Sequence, residues 1–113
     1  LEENLMYKPL PEEVTISKSS IDGLGLFAKR EIEEGHEFGI THIFDIRFEN
    51  GYIRTPLGGF INHNTNPNCK LVEVDKDIFP VTKDSKCLKL VSIRKIEQDE
   101  EITTKYSLYS LKD

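Results

Sequence analysis

The sequence predicts a mainly β domain, and three observations carry that prediction. Apolar, β-branched and aromatic residues gather in short runs rather than on a helical repeat. Glycine, proline and Asn-Gly punctuation separates those runs. No stretch has the length and 3.6-residue spacing of a long amphipathic helix, and no internal repeat is visible.

In order along the chain, residues 1–13 read as an N-terminal arm, with Pro9 and Pro11 breaking regular structure. A single domain is expected over 14–113. Val14 to Ser17 alternates apolar and polar, the pattern of a half-buried strand. Asp22 to Gly25 is a turn, Leu26 to Ala28 opens a second strand, and Glu33-Glu34-Gly35 is another turn. Ile43 to Phe48 and Tyr52 to Arg54 flank Asn50-Gly51, a hairpin signal because both residues tolerate positive φ. Pro56 and Gly58-Gly59 end that unit. Leu71 to Val74 and Cys87 to Ile93 are further strands, joined by a polar loop over 75–86 around Phe79-Pro80. Glu100 to Thr104 is the last strand or turn.

Bulk properties narrow the function. With 113 residues, 37% hydrophobic and 31% charged, the chain suits one globular domain with a modest core. A net charge of −5 without a basic stripe argues against direct nucleic-acid binding and suits a basic partner. No apolar run reaches membrane-spanning length, and the first residues lack the pattern of a secretory signal, so an intracellular protein is expected. Cys69 and Cys87 form no C-x-x-C pair and no zinc framework, and read as two reduced core cysteines.

Three segments bear chemistry. Ser20 to Ala28 contains Gly23-Leu24-Gly25, which lets backbone approach a ligand closely but lacks the third glycine and following helix of a dinucleotide fingerprint. Taken alone it is a structural turn. Phe60 to Cys69 crowds Asn62, His63, Asn64, Asn66 and Asn68 together; asparagines cap turns, and they also donate and accept toward polar ligands. His63 has no cysteine or histidine at zinc-ligand spacing, so no metal is expected. Ile96 to Tyr106 carries an acidic run that alone reads as a solvated turn, followed by an aromatic at the core's edge.

In this order the segments resemble the SET-domain protein lysine methyltransferases. Ser20 to Ala28 is similar to that family's G-x-G-[LVI]-F-A motif, Asn62 to Asn68 to its N-H-S-x-x-P-N, and Ile96 to Tyr106 to its I-x-x-G-E-E-[IL]-T-x-x-Y. The resemblance runs from about residue 14 to 106. It implies a β-clip fold of several small curved sheets, with a C-terminal segment threaded near Asn62-His63 as a pseudoknot. It implies transfer of a methyl group from S-adenosylmethionine to a lysine side chain of a basic protein such as a histone, leaving S-adenosylhomocysteine, without a metal. Backbone around Gly23, Leu24 and Gly25 would contact this cofactor, Asn62 and His63 would line the same site, and Tyr106 would be catalytic, its hydroxyl near the transferring methyl.

The pattern is not matched everywhere. Asn64 replaces a Ser, Asp99 a Gly, and His36 a frequent Glu. Thr41-His42 stands where relatives place a second tyrosine lining the lysine channel, and Tyr109 is a candidate lid over it. The insert between Gly35 and Asn62 is short, and Thr65 stands where many members carry a zinc-binding Cys. With so little material to close the site, a homodimer supplying the missing wall is one expectation. A module that binds cofactor or a basic peptide without catalysis is the alternative, and an unrelated small β-domain the third.

Overall fold

The computed structural model describes residues 10–45, 47–74 and 85–105. They form eight strands and one helical turn. The elements are β1 (Val14–Lys18), β2 (Leu24–Ala28), β3 (Glu37–Asp45), β4 (Tyr52–Arg54), α1 (Pro56–Gly59), β5 (Asn62–His63), β6 (Cys69–Glu73), β7 (Ser85–Ser92) and β8 (Glu101–Thr104). Two four-stranded sheets result, ordered β1-β2-β8-β5 and β4-β3-β7-β6. The architecture is mainly β and built of small sheets, as expected from the sequence.

The first hairpin follows directly from its residues. Val14 is buried, Thr15 and Ser17 are exposed, and β1 pairs antiparallel with β2 from Val14↔Ala28 to Lys18↔Leu24. Ser19 closes the turn: its amide donates to the Gly23 carbonyl at 2.8 Å, and its hydroxyl accepts from the Ile21 amide at 2.9 Å. Gly23 has φ +44°, where a side chain is disfavoured.

The second hairpin differs from its sequence reading. The strand expected at 43–48 spans 37–45 instead. Its pairing with β7 shifts register between Glu37 and Gly39 and again between Ile40 and His42. These bulges put Thr41 and His42 both inside, which disguises the two-residue period. The strand stops at Asp45 because its carboxylate accepts from the Arg47 amide at 2.9 Å, an Asx turn. Asn50-Gly51 therefore sits at the end of a longer loop, with Gly51 at φ +84°. The hairpin itself forms, pairing His42↔Arg54 and Phe44↔Tyr52.

Thr55, Pro56 and the two glycines do more than end the hairpin. Thr55 caps α1 by accepting from the Gly58 amide at 3.3 Å, with proline at the helix start where no amide is needed. Strands expected at 71–74 and 87–93 occupy 69–73 and 85–92.

Late in the chain, β8 inserts into the first sheet. It runs antiparallel to β2 (Leu26↔Ile102) and parallel to β5 (Asn62↔Thr103, His63↔Thr104). Leu26, Ile32, Leu90, Ile96 and Ile102 are fully buried in the core between the sheets. Tyr106, Tyr109, the loop around Phe79-Pro80 and the C-terminal segment expected to thread near Asn62-His63 lie outside the described residues.

Candidate functional site

A cleft of about 660 Å³ opens between the two hairpins. Asp22, Gly23, Leu24 and Asn62 form one wall, and the α1 turn with Phe60 and Ile61 forms the floor. The facing wall comes from the second hairpin: His42 and Phe44 on β3, Tyr52 and Arg54 on β4. The cleft's size falls within the roughly 300–1,000 Å³ usual for small-molecule sites.

The aromatic wall is a product of register. Phe44 and Tyr52 are cross-strand partners with ring centroids 5.5 Å apart, and His42 lies 6.0 Å from each of them. The Arg54 guanidinium carbon lies 5.9 Å from the Tyr52 ring centre. His42 is 2% exposed. Burial first, and the Arg54 charge second, lower its pKa to about 4, so it is neutral at physiological pH. One ring nitrogen, Nδ1, lies 2.8 Å from the Thr41 hydroxyl.

Opposite this wall, a polar network holds the glycine loop. The Asn62 amide nitrogen lies 3.1 Å from the Asp22 carbonyl, 3.2 Å from the Leu24 carbonyl, 3.1 Å from Ser19 Oγ and 2.9 Å from Glu101 Oε2. The Ser19 hydroxyl lies within hydrogen-bonding distance of both Glu101 oxygens, at 2.8 and 2.9 Å. Gly25 lies directly over this network: a Cβ there would overlap Glu101 Oε2 and come within 3.0 Å of Asn62 Nδ2. Gly23, by contrast, has open space where its Cβ would stand.

The structure thus gathers Gly23, Leu24, Asn62 and His42 around one cleft, with Gly25 backing the loop. Thr41 is fully buried behind the wall, its hydroxyl 3.3 Å from the Leu88 carbonyl, and does not line the cleft. His63, next to Asn62 on β5, is not among the lining residues either.

Several site residues were not singled out in the sequence. Phe44 and Tyr52 were recoverable from the hairpin, since alternate residues of paired strands share a face. Glu101 was hidden in an acidic run that reads as solvated. Asn68 was one asparagine among several. Its side chain donates to the Glu101 carbonyl at 2.8 Å and accepts from the Thr103 amide at 2.9 Å, so it stands in for a neighbouring strand of β8.

Comparison with known proteins agrees with this fold. The SET domain family model matches residues 40–107. A histone-lysine N-methyltransferase of Drosophila melanogaster, trr, is 32% identical over 134 aligned positions, covering 88% of this chain. The chain spans only 5% of that relative's length. Among solved structures, a Plasmodium falciparum protein described as a candidate histone methyltransferase superposes with a TM-score of 0.66 at 19% identity, covering 86% of this chain and 95% of its own. The Chaetomium thermophilum Polycomb Repressive Complex 2, in a humanized mutant bound to the inhibitor GSK126, gives 0.62 at 22% identity, over 85% of this chain and 15% of that one. The methyltransferase domain of human PR domain-containing protein 2 gives 0.59 at 16% identity, over 84% and 77%. These structural likenesses speak for the fold.

Proposed function

The chain belongs to the SET-domain family, and on that footing we propose that it is an S-adenosylmethionine-dependent methyltransferase acting on a lysine side chain of a basic protein. The observation that carries this reading is the cleft itself. Its glycine loop is open at Gly23 and locked from behind through Gly25, so backbone can meet a ligand at close range. The residues present fit an adenosyl ligand with an amino-acid tail: aromatic rings on one wall, backbone polar groups on the other, and a volume of suitable size.

Held by the backbone around Gly23, Leu24 and Gly25, S-adenosylmethionine would supply an electrophilic methyl group for the lysine nitrogen, with one proton passing to water. The chain's own residues do the positioning, which in such reactions accounts for about 7–11 kcal/mol of the barrier. Gly23, Leu24 and Gly25 present backbone groups to the cofactor. Asn62 fixes the carbonyls of Asp22 and Leu24 that border the site. The neutral His42 puts no second cation next to Arg54, and the Arg54 charge itself disfavours an ammonium on this wall and so favours the uncharged amine that must react. Tyr52 brings a phenol ring to the region where Thr41 offers none. Tyr106 is the catalytic residue of this reading and Tyr109 its candidate lid, roles that the family resemblance implies for two positions outside the described residues.

The experiment is methyl transfer from labelled S-adenosylmethionine to lysine-rich proteins, histones included. Transfer to lysine is the expected result. Saturable cofactor binding without transfer to any of them would instead favour a binding module. Tyr106→Phe should lower turnover about a hundredfold with little change in cofactor affinity; full turnover in that variant removes Tyr106 from the mechanism. Two buried free thiols, Cys69 and Cys87, suit an intracellular setting for this activity. A second copy closing the open side of the cleft belongs to the same reading, and a monomer on sedimentation with activity intact removes it.

A further inference from the structure

Glu101 is an unusual acid for its place. It is half-buried under the glycine loop, in the first sheet, and among the described residues its carboxylate meets two neutral donors, Ser19 Oγ and Asn62 Nδ2. Among the described residues no cation lies within ion-pair distance of it. Its neighbour Glu100 is the opposite case, turned outward to Arg94 at 2.9 Å. A carboxylate is costly to hold in such a place without a counter-charge. The architecture nonetheless fixes it there: Asn62 and Ser19 hold both oxygens, and Gly25 lacks the Cβ that would displace them.

Asn62 is already committed to this task. Its amide has two hydrogens for four acceptors, all within the protein. The charge of Glu101 therefore stays unneutralised and faces the backbone on which the ligand rests. At partly buried sites a charge acts through an effective dielectric nearer 20 than 80, so a cation above the loop feels it strongly.

We propose that Glu101 is a specificity-determining residue that makes the cleft favour a cationic ligand over its uncharged counterpart, S-adenosylmethionine over S-adenosylhomocysteine. This rests on the cofactor reading given above. The two ligands share the adenosine and amino-acid ends and differ by one methyl group and one positive charge at sulfur. Contacts to the shared parts cancel in the ratio of their affinities, which leaves the charge exposed. Loss of that charge on transfer removes the attraction, so the same carboxylate that holds the cofactor also eases departure of the product.

The test is calorimetric titration of the full chain with each ligand, comparing wild type with Glu101→Gln and Ser19→Ala. Glu101→Gln should weaken S-adenosylmethionine about tenfold more than S-adenosylhomocysteine. Ser19→Ala keeps the charge, loses one hydrogen bond, and should shift both ligands alike. If Glu101→Gln also shifts both alike, Glu101 only shapes the loop and the proposal falls. Should the Gln variant fail to fold by circular dichroism, Glu101→Asp decides: it retains the charge and should retain the preference, and its loss there overturns the proposal. Wild type that binds neither ligand removes the cofactor reading itself, an outcome distinct from wild type that binds both without discrimination by Glu101.

Discussion

Gly25 and Gly59 make a controlled pair at the scale of single residues. A methyl on Gly25 would displace Glu101 from its contacts with Ser19 and Asn62, whereas Gly59 meets nothing within 4 Å. Gly25→Ala should therefore cost about 1–3 kcal/mol, the penalty of a broken buried polar network. Gly59→Ala, in a helical turn, should be neutral or stabilising by up to about 1 kcal/mol. Urea denaturation of both variants checks this, and equal midpoints would show that the network can relax around a methyl. Asp99 is the non-glycine residue with positive φ among the described residues, at +72°. A glycine at this position adopts such a φ without strain. Asp99→Gly should gain about 0.5–1 kcal/mol, unless its side chain holds the turn, in which case the midpoint falls.

The element whose placement matters most is β8. It reaches β2 through ordinary strand pairing, but on the side facing β6 its backbone is served by the Asn68 carboxamide. Asn68→Ala would leave the buried Thr103 amide and the Glu101 carbonyl without partners. That should cost about 2–4 kcal/mol, at about 1–3 kcal/mol for each unpaired buried group. Hydrogen exchange at Thr103 is the direct readout: its protection should drop far more than that of Ile43, whose partner strands β4 and β7 do not pair with β8. Equal protection would mean that β8 is held by its neighbours β2 and β5 alone.

For the molecule as a whole, the cleft wall sets a pH limit. The unfolded chain takes up a proton on His42 near pH 6.5, while the folded chain resists until about 4. Between those values the unfolded state binds more protons, so stability falls as pH drops through the window and is flat for this group above it. The total is on the order of 3 kcal/mol at 1.36 kcal/mol per pKa unit. His42→Phe should flatten the slope of unfolding free energy between pH 6.5 and 4; an unchanged slope would assign it to other groups.

The β class, the order of the three motifs and the turn at Gly23 were determined by the sequence, because they depend on neighbours within a few residues. Alternation in Val14 to Ser17 placed β1, and Asn-Gly announced the hairpin that carries Tyr52. Boundaries were lost where bulges broke the two-residue period at Thr41-His42, and where the Asp45 side chain ended a strand that its apolar neighbours seemed to continue. Only the tertiary structure decided which acid of the run 97–101 turns inward. Ser19 lies 82 residues from Glu101 in the chain and Asn62 lies 39 away. Contact among them exists because β8 slots between β2 and β5, and in that register Glu101 faces the back of Gly25 while Glu100 meets Arg94 and the Glu97 amide. No local pattern encodes that choice: adjacent residues of a strand point to opposite faces, and a shift of one position would have exchanged the two carboxylates.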